Sequence, residues 1–234
     1  MFEKLFKKSR VLYSAPDSGF GEIKVIQCFE NGYSMRLLLI NNGRESATFN
    51  KRSKRAELVF KYTREFDRIF EGKTSVSSIL MFGGAGFSYP KHILAHHREC
   101  TVDVVEINPQ MPVLAKKYFY LKDSDRLKIH INDANLFLES DDSRFDVIIN
   151  DAFIGQTMDS RLLETDRVKM IKDHLTDGGI YVINLITSLT GTGSFPLMMQ
   201  INLLRKQFKN VSLVRPTPDR NPDERQNCLL FASD

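Results

Sequence analysis

The sequence predicts an α/β protein: a doubly wound, mainly parallel sheet with helices on both faces, preceded by a small N-terminal β-hairpin unit. Three observations carry this reading. From Ser77 onward, short runs of Val, Ile, Leu and Phe alternate with segments of helical period, as in successive strand–helix–strand units. One of these runs, Ser78 to Phe82, leads into a glycine-rich loop, Gly83-Gly84-Ala85-Gly86, and then a helical segment. Ahead of it, Asn31-Gly32 and Asn41-Asn42-Gly43 punctuate runs rich in β-formers, the signature of tight hairpins.

The elements follow in order. Glu22 to Phe29, Tyr33 to Ile40 and Glu45 to Phe49 are expected as hairpin strands, too small a sheet to stand alone. Between Lys54 and Glu71 the period changes. Leu58, Val59, Tyr62, Phe66, Ile69 and Phe70 fall on helical spacing, and Gly72 supplies a stop. The expected organisation is therefore a β-domain over residues 1–53, a linking helix over 54–76 and a doubly wound domain over 77–234. In that domain, strands are expected at Ser78 to Phe82, Thr101 to Ile107, Leu127 to Ile131, Phe145 to Asp151, Ile180 to Ile186, Val211 to Arg215 and Asn227 to Phe231. Helices are expected at Tyr89 to Arg98, Gln110 to Phe119, near Leu136, at Arg161 to Leu175 and at Phe195 to Phe208.

Composition excludes several classes. The 234 residues are 42% hydrophobic and 26% charged, too apolar for a disordered chain. No apolar run approaches the roughly 20 residues of a membrane span. Met1 to Arg10 is basic but lacks the apolar stretch of a signal peptide. Cys28, Cys100 and Cys228 are odd in number and far apart, so a reducing cytoplasm is expected, with neither disulfides nor a CxxC metal site. His96, His97 and Cys100 cluster at a helix end without a partner pair elsewhere, and the histidines read as surface residues; no metal is expected. The net charge of +4 is uneven: residues 1–75 hold 15 Lys and Arg against 9 Asp and Glu. Lys51 to Lys73 alone holds eight cations against four anions. A nucleic-acid surface is one reading of that stretch; the solvated face of an amphipathic helix is the other, and the favoured one.

The chemistry concentrates at strand ends. Glycines let the backbone turn sharply and approach a ligand. Glu106 ends the next strand, 20 residues after Gly86, a spacing at which a carboxylate can accept from ribose hydroxyls. The loop lacks the G-x-G-x-x-G spacing of a pyrophosphate binder and fits a nucleoside better. A plain structural turn with a solvated Glu106 is the alternative. Asp133 follows the third strand, where it can accept from an adenine amine, cap the following helix, or do both. Asp151 ends the strand after that, placed to take a proton from, or orient, a reacting amine. Asp146 opens the same strand at the far end of the sheet and reads as structural. The loop Thr190 to Phe195 reads equally as a lid or a connector.

Gly21-Glu22-Ile23, Phe60-Lys61-Tyr62, Gly83-Gly84-Ala85-Gly86, Val105-Glu106-Ile107, Asp133-Ala134 and Phe145 to Asp151 keep an order that resembles the spermidine/spermine synthase family over roughly residues 12–232. The resemblance implies a class I methyltransferase-like (Rossmann-like) domain behind a small β-domain. It implies an S-adenosylmethionine-type donor, intact or decarboxylated, held by Gly83, Gly84, Ala85, Gly86, Glu106, Ile107, Asp133 and Ala134. Glu106 would take the ribose and Asp133 the adenine amine. Asp151 and Tyr62 would be the catalytic pair beside an attacking amine, and a homodimer is implied. Three departures matter. Gly86 stands where the family's GGGDG loop has Asp. Thr63-Arg64 replaces His-Glu after Tyr62. Ala152-Phe153 follows Asp151 where the family has a second Asp and Pro. Fewer carboxylates remain for a polycation, and without the loop Asp a donor carboxylate meets less repulsion. Methyl transfer to a small-molecule acceptor is therefore the favoured expectation. Aminopropyl transfer in polyamine synthesis is the first alternative, and a non-catalytic nucleoside- or nucleic-acid-binding relative the second.

Overall fold

A computed structural model describes residues 9–16, 18–71, 75–154 and 157–234. Strands β1 (Arg10–Ala15), β2 (Ile23–Glu30), β3 (Tyr33–Ile40) and β4 (Gly43–Phe49) form one antiparallel sheet in chain order. Asn31 and Gly32 join β2 to β3 with φ of 53° and 80°, both in the left-handed region that a type I′ hairpin turn requires. Asn41 and Asn42 repeat the device before β4, at 48° and 63°. The edge strand β1 carries no turn signal of its own and was not expected.

The predicted linking helix is shorter than its apolar spacing implies. A 3₁₀ turn at Arg52–Lys54 is followed by extended backbone at Phe60 (ψ 139°). Only then come helix α1 (Lys61–Glu65) and a 3₁₀ turn at Phe66–Phe70. The reason is packing. Val59 and Phe60 cover one face of the N-terminal sheet, against Ile26, Leu37 and Phe49. Leu58, Phe66 and Ile69 join the core of the larger sheet. Two cores cannot be served from one helical stripe, so the chain extends between them. Gly72, the expected stop, lies outside the described residues.

Downstream come β5 (Ser78–Phe82), helix α2 (Ser88–His96), β6 (Thr101–Glu106), α3 (Gln110–Tyr118), β7 (Leu127–Ile131), α4 (Ala134–Ser140) and β8 (Phe145–Asn150). A two-residue hairpin, β9 (Phe153–Ile154) and β10 (Thr157–Met158), precedes α5 (Thr165–Asp173), β11 (Leu175–Thr187), α6 (Phe195–Gln207), β12 (Asn210–Val214) and β13 (Gln226–Ser233). The seven-stranded sheet runs β12-β13-β11-β8-β5-β6-β7. All its pairs are parallel except those of β13, which is antiparallel to both neighbours. From β5 the chain builds outward to β6 and β7, then returns to lay β8 on the other side. That reversal opens a crevice beyond the carboxyl ends of β5 and β8.

Strand alternation divides the core between the two faces. Ile79 and Met81 of β5, with Val147 and Ile149 of β8, meet residues of α2 and α3 such as Ile93 and Leu114. Leu80, Phe82 and Ile148 face the other way, toward Val168 of α5 and Leu204 of α6. Ile23, Val25 and Leu38 of the N-terminal sheet belong to the first of these cores. The small sheet thus lies against the larger one with one apolar face continuous between them.

Asp146 is structural, as expected. Its Oδ2 accepts from the backbone N–H groups of Ser77 and Ser78 at 2.9 and 3.0 Å, stapling the start of β5 to β8. Among the described residues, no helix is long and apolar enough to cross a membrane.

Candidate active site

The carboxyl ends of β5, β6 and β8 converge on a cavity of about 480 Å³, a size that suits a small organic ligand. Gly83, Gly84, Ala85, Glu106, Ile107, Asp133, Ala134, Asp151 and Tyr62 all line it. Of the expected site residues only Gly86 does not. It is buried behind the loop, where a Cβ would come within 2.7 Å of the Ser46 side chain and 3.1 Å of the Phe119 ring. A side chain at Gly86 would thus face protein, and Ser46, from β4, occupies the cavity wall there.

The loop is held close over β8. Gly83 has φ of 86°, and a Cβ at this residue would lie 2.5 Å from the Asp151 carbonyl oxygen. Only glycine permits both the conformation and the approach. Glu106 fixes the other side. Its Oε2 accepts from the N–H groups of Gly84 and Ala85 at 2.8 and 3.0 Å, and its Oε1 from Asn108 N–H at 2.8 Å. A carboxylate offers about four lone-pair positions. Three are used here, so Glu106 shapes the loop and keeps about one acceptor position for a hydroxyl.

Asp133 does what a cap does. It accepts from Asn135 N–H at 2.8 Å at the start of α4. Its other oxygen accepts from Arg161 Nη2 at 2.9 Å. Burial alone would raise its pKa, but the bonds from Asn135 and Arg161 outweigh that and hold it below the usual carboxylate range. Arg161 also clasps the buried Asp159, with Nη2 to Oδ2 at 2.6 Å, so an Arg161–Asp159 pair closes this end of the cavity. Ile107 is exposed beside it.

At the opposite end sits Asp151. Its Oδ1 accepts from Asn184 Nδ2 at 2.7 Å and its Oδ2 from the Tyr62 hydroxyl at 3.2 Å. Burial pushes its pKa up to about 7, against the lowering effect of those two donors. The Tyr62 hydroxyl is raised well above its ordinary value, chiefly by burial and then by the Asp151 charge. Asn184 is buried and oriented in turn by Asn227, whose Nδ2 donates to Asn184 Oδ1 at 3.0 Å. Across the same cavity stands Glu45 of β4, also pushed up to about 7 by burial, Asp151 and Glu106 in that order.

Sequence reasoning missed Glu45, Asn184, Asp159 and Arg161. Glu45 had a signal: it follows the Asn41-Asn42-Gly43 turn as a charge within a strand. Asn184, in the middle of an apolar strand, is a second detectable oddity. Nothing local marks Asp159 or Arg161. The loop Thr190 to Phe195 contributes no residue to the cavity wall. Cys100, which clusters in sequence with His96 and His97, is fully buried just ahead of β6, its thiol donating to the Val76 carbonyl.

Comparison with known proteins identifies the family. The sequence profile of the Spermine/spermidine synthase domain matches residues 70–189, just over half of the chain. The chain belongs to the spermine/spermidine synthase family. A polyamine aminopropyltransferase of Vibrio vulnificus is 28% identical over 113 residues, 47% of this chain and 38% of that protein. The eEF1A lysine and N-terminal methyltransferase of Homo sapiens is 29% identical over 121 residues, 47% of this chain and 17% of that protein. The match thus spans well under half the length of either relative. A probable spermidine synthase from Corynebacterium glutamicum superposes with a TM-score of 0.77 at 20% identity, covering 96% of this chain and 78% of that one. Human methyltransferase-like protein 13, solved in complex with SAH, gives 0.62 at 20% identity, covering 75% and 82%. At such identities the structural likeness is one of fold, and that fold is class I methyltransferase-like behind an N-terminal antiparallel sheet. The family accordingly includes both aminopropyltransferase and methyltransferase relatives of this chain.

Proposed function

We propose that this protein is a transferase that takes an S-adenosylmethionine-type donor and delivers its methyl group to a small amine. The donor's nucleoside would lie along Gly83 to Ala85 and Ile107, with a ribose hydroxyl on the remaining acceptor position of Glu106. The adenine amine would meet Asp133, whose cap and ion pair leave it ionised. Once bound, the donor supplies a carbon activated by an adjacent sulfonium. The N–C bond forms as the C–S bond breaks, its electron pair returning to sulfur. The proton of the amine passes to Asp151, which at a pKa of about 7 can accept it near neutral pH. Asn184 and Tyr62 hold that carboxylate in place, so most of the rate enhancement is positioning.

The observation that favours methyl transfer is the environment of Gly86. Where the family loop carries Asp, this chain has no side chain, and the neighbouring space is taken by Ser46, a neutral hydroxyl bound to Ser88 Oγ at 2.9 Å. Ser46 lines the cavity wall beside that position, so a donor that keeps its carboxylate would meet a neutral hydroxyl there. Titration calorimetry with intact and decarboxylated S-adenosylmethionine tests this. Tighter binding of the intact donor is expected; tighter binding of the decarboxylated one would reverse the assignment.

One observation favours aminopropyl transfer instead. Glu45 adds a second carboxylate facing the acceptor end, which suits an acceptor with two ammonium groups. The same titration separates the two reactions. A nucleic-acid role has less support. Within the basic stretch, Arg55 lies 3.7 Å from the Tyr120 ring centroid, Arg64 bonds the Leu58 carbonyl, and Arg68 pairs with Glu65. Those cations are occupied within the fold.

A further inference from the structure

We propose that Asp67, His92 and His97 form a binding site for one divalent transition-metal ion of the zinc class, a site separate from the donor cavity and serving to tie the linking segment to α2. Asp67 lies in the 3₁₀ turn Phe66–Phe70, His92 on α2, and His97 just beyond its end. Their nitrogen and carboxylate ligand atoms all fall within 4.8 Å of one another. None of the three lines the donor cavity.

The hydrogen bonding of His92 points to a cation. Its Nδ1 sits 3.0 Å from the Ala56 carbonyl oxygen, and its Nε2 sits 3.0 Å from Asp67 Oδ2. A carbonyl can only accept, so Nδ1 carries the hydrogen. In the neutral ring Nε2 then turns its lone pair toward a carboxylate oxygen, and two acceptors face each other. Something positive must sit between or beside them: a proton or a metal ion. Metal-bound histidines characteristically donate the other ring N–H to a backbone carbonyl, which fixes the tautomer. Asp67 Oδ1 is buried without a well-formed hydrogen bond among the described residues, with only the Tyr89 hydroxyl beside it, leaving acceptor capacity on the same carboxylate. His97 supplies the third ligand. Its ring stacks on Phe70 at 3.7 Å and 7°, which sets its plane.

Two imidazoles and a carboxylate suit Zn²⁺, Co²⁺ or Ni²⁺ and disfavour Mg²⁺ and Ca²⁺, which take oxygen ligands. Ligands of one such ion, each about 2.1 Å from it, lie at most about 4.2 Å apart. His92 Nε2 and Asp67 Oδ2, 3.0 Å apart, already satisfy this, and any pair wider than that limit must draw in. Water completes the coordination. The sequence signal was misread because it was sought in the adjacent His96, His97 and Cys100. Cys100 instead donates to the Val76 carbonyl in the core, and His92 and Asp67 are brought in from one helical turn and one element away.

The test uses the full chain after chelator treatment. Co²⁺ is titrated and its d–d absorption followed, with Zn²⁺ competition and thermal unfolding in parallel. One ion per chain is expected, with nitrogen and oxygen ligation and no thiolate charge-transfer band. At 100 times Kd, Zn²⁺ should raise Tm by about 5–10 °C. His97→Ala, which leaves the His92–Asp67 pair intact, should weaken binding about 100-fold or more; Asp67→Asn should do the same, and His96→Ala should not. Absence of saturable binding, or undiminished binding in His97→Ala, would overturn the proposal. A thiolate band would do so too. Because no donor enters the assay, its outcome is independent of the proposed transfer reaction.

Discussion

Replacing Glu106 by glutamine separates the two jobs assigned to this side chain. As a carboxylate it receives Gly84 N–H and Ala85 N–H on one oxygen and Asn108 N–H on the other. Glutamine keeps a single acceptor oxygen. Its better orientation preserves the two loop contacts and turns its NH₂ toward Asn108 N–H, so two donors collide in a buried site. One charge-assisted bond is lost with its donor orphaned, at about 2 kcal/mol, and two others drop from charged to neutral strength, at about 0.5 kcal/mol each. The total, about 3 kcal/mol, corresponds to a Tm lowered by about 6–12 °C for a chain of this size. Differential scanning calorimetry of the donor-free protein measures it directly. If Glu106 served only to bind a ribose, the donor-free protein would be indifferent to the change. A Tm within about 2 °C of wild type would refute the stapling role.

Further outcomes are expected. Tyr62→Phe removes the longer of the two hydrogen bonds to Asp151, worth about 1.5 kcal/mol to the charged form. The Asp151 pKa, about 7, should then rise by about one unit. The acidic limb of kcat/KM against pH for an amine acceptor should move upward, with activity restored well above it; a uniform loss at every pH would contradict this. Asp151 and Glu45 both bind protons more tightly folded than unfolded. Their protonation thus stabilises the fold fully below about pH 4, and this stability is lost as pH rises through about 7, by roughly 2–4 kcal/mol for Asp151. Asp151→Asn should flatten the fall in Tm between pH 5 and pH 8 while reducing turnover by about 10²-fold or more; an unchanged pH dependence of Tm would count against the buried carboxylate. Gly86→Ala should destabilise by about 1–3 kcal/mol, since its Cβ meets Ser46. A double-mutant cycle with Ser46→Gly should recover most of that loss, and strict additivity would show that the two residues do not compete for space.

The sheet was legible because its signals are local and strong. An apolar run ending in four small residues marks β5 and its loop, and Asn-Gly turns mark the hairpins within a residue or two. The linking helix misled because Leu58, Val59, Phe66 and Ile69 have helical spacing yet bury into two different cores. Periodicity records that a residue is buried and says nothing of which surface buries it. For the site, strand-end carboxylates were readable because the fold places strand ends at the crevice. The position of Gly86 in the chain does not reveal that a Cβ there would face Ser46 and not the cavity. Glu45 and Asn184 escaped notice because each acts through a partner over a hundred or several tens of residues away. Arg161 escaped because a lone arginine in a loop carries no pattern.

The hydrogen bond between Tyr62 and Asp151 joins residues 89 positions apart, and Glu45 comes from earlier still. Contacts of such sequence separation carry a loop-closure cost that local contacts do not. Until β8 is laid beside β5, both carboxylates remain hydrated and ionised at neutral pH. The Asp151 end of the cavity thus exists only where its two walls meet. A chain that is compact but not yet finished has no pair of weakly acidic carboxyl groups and no base poised near neutrality.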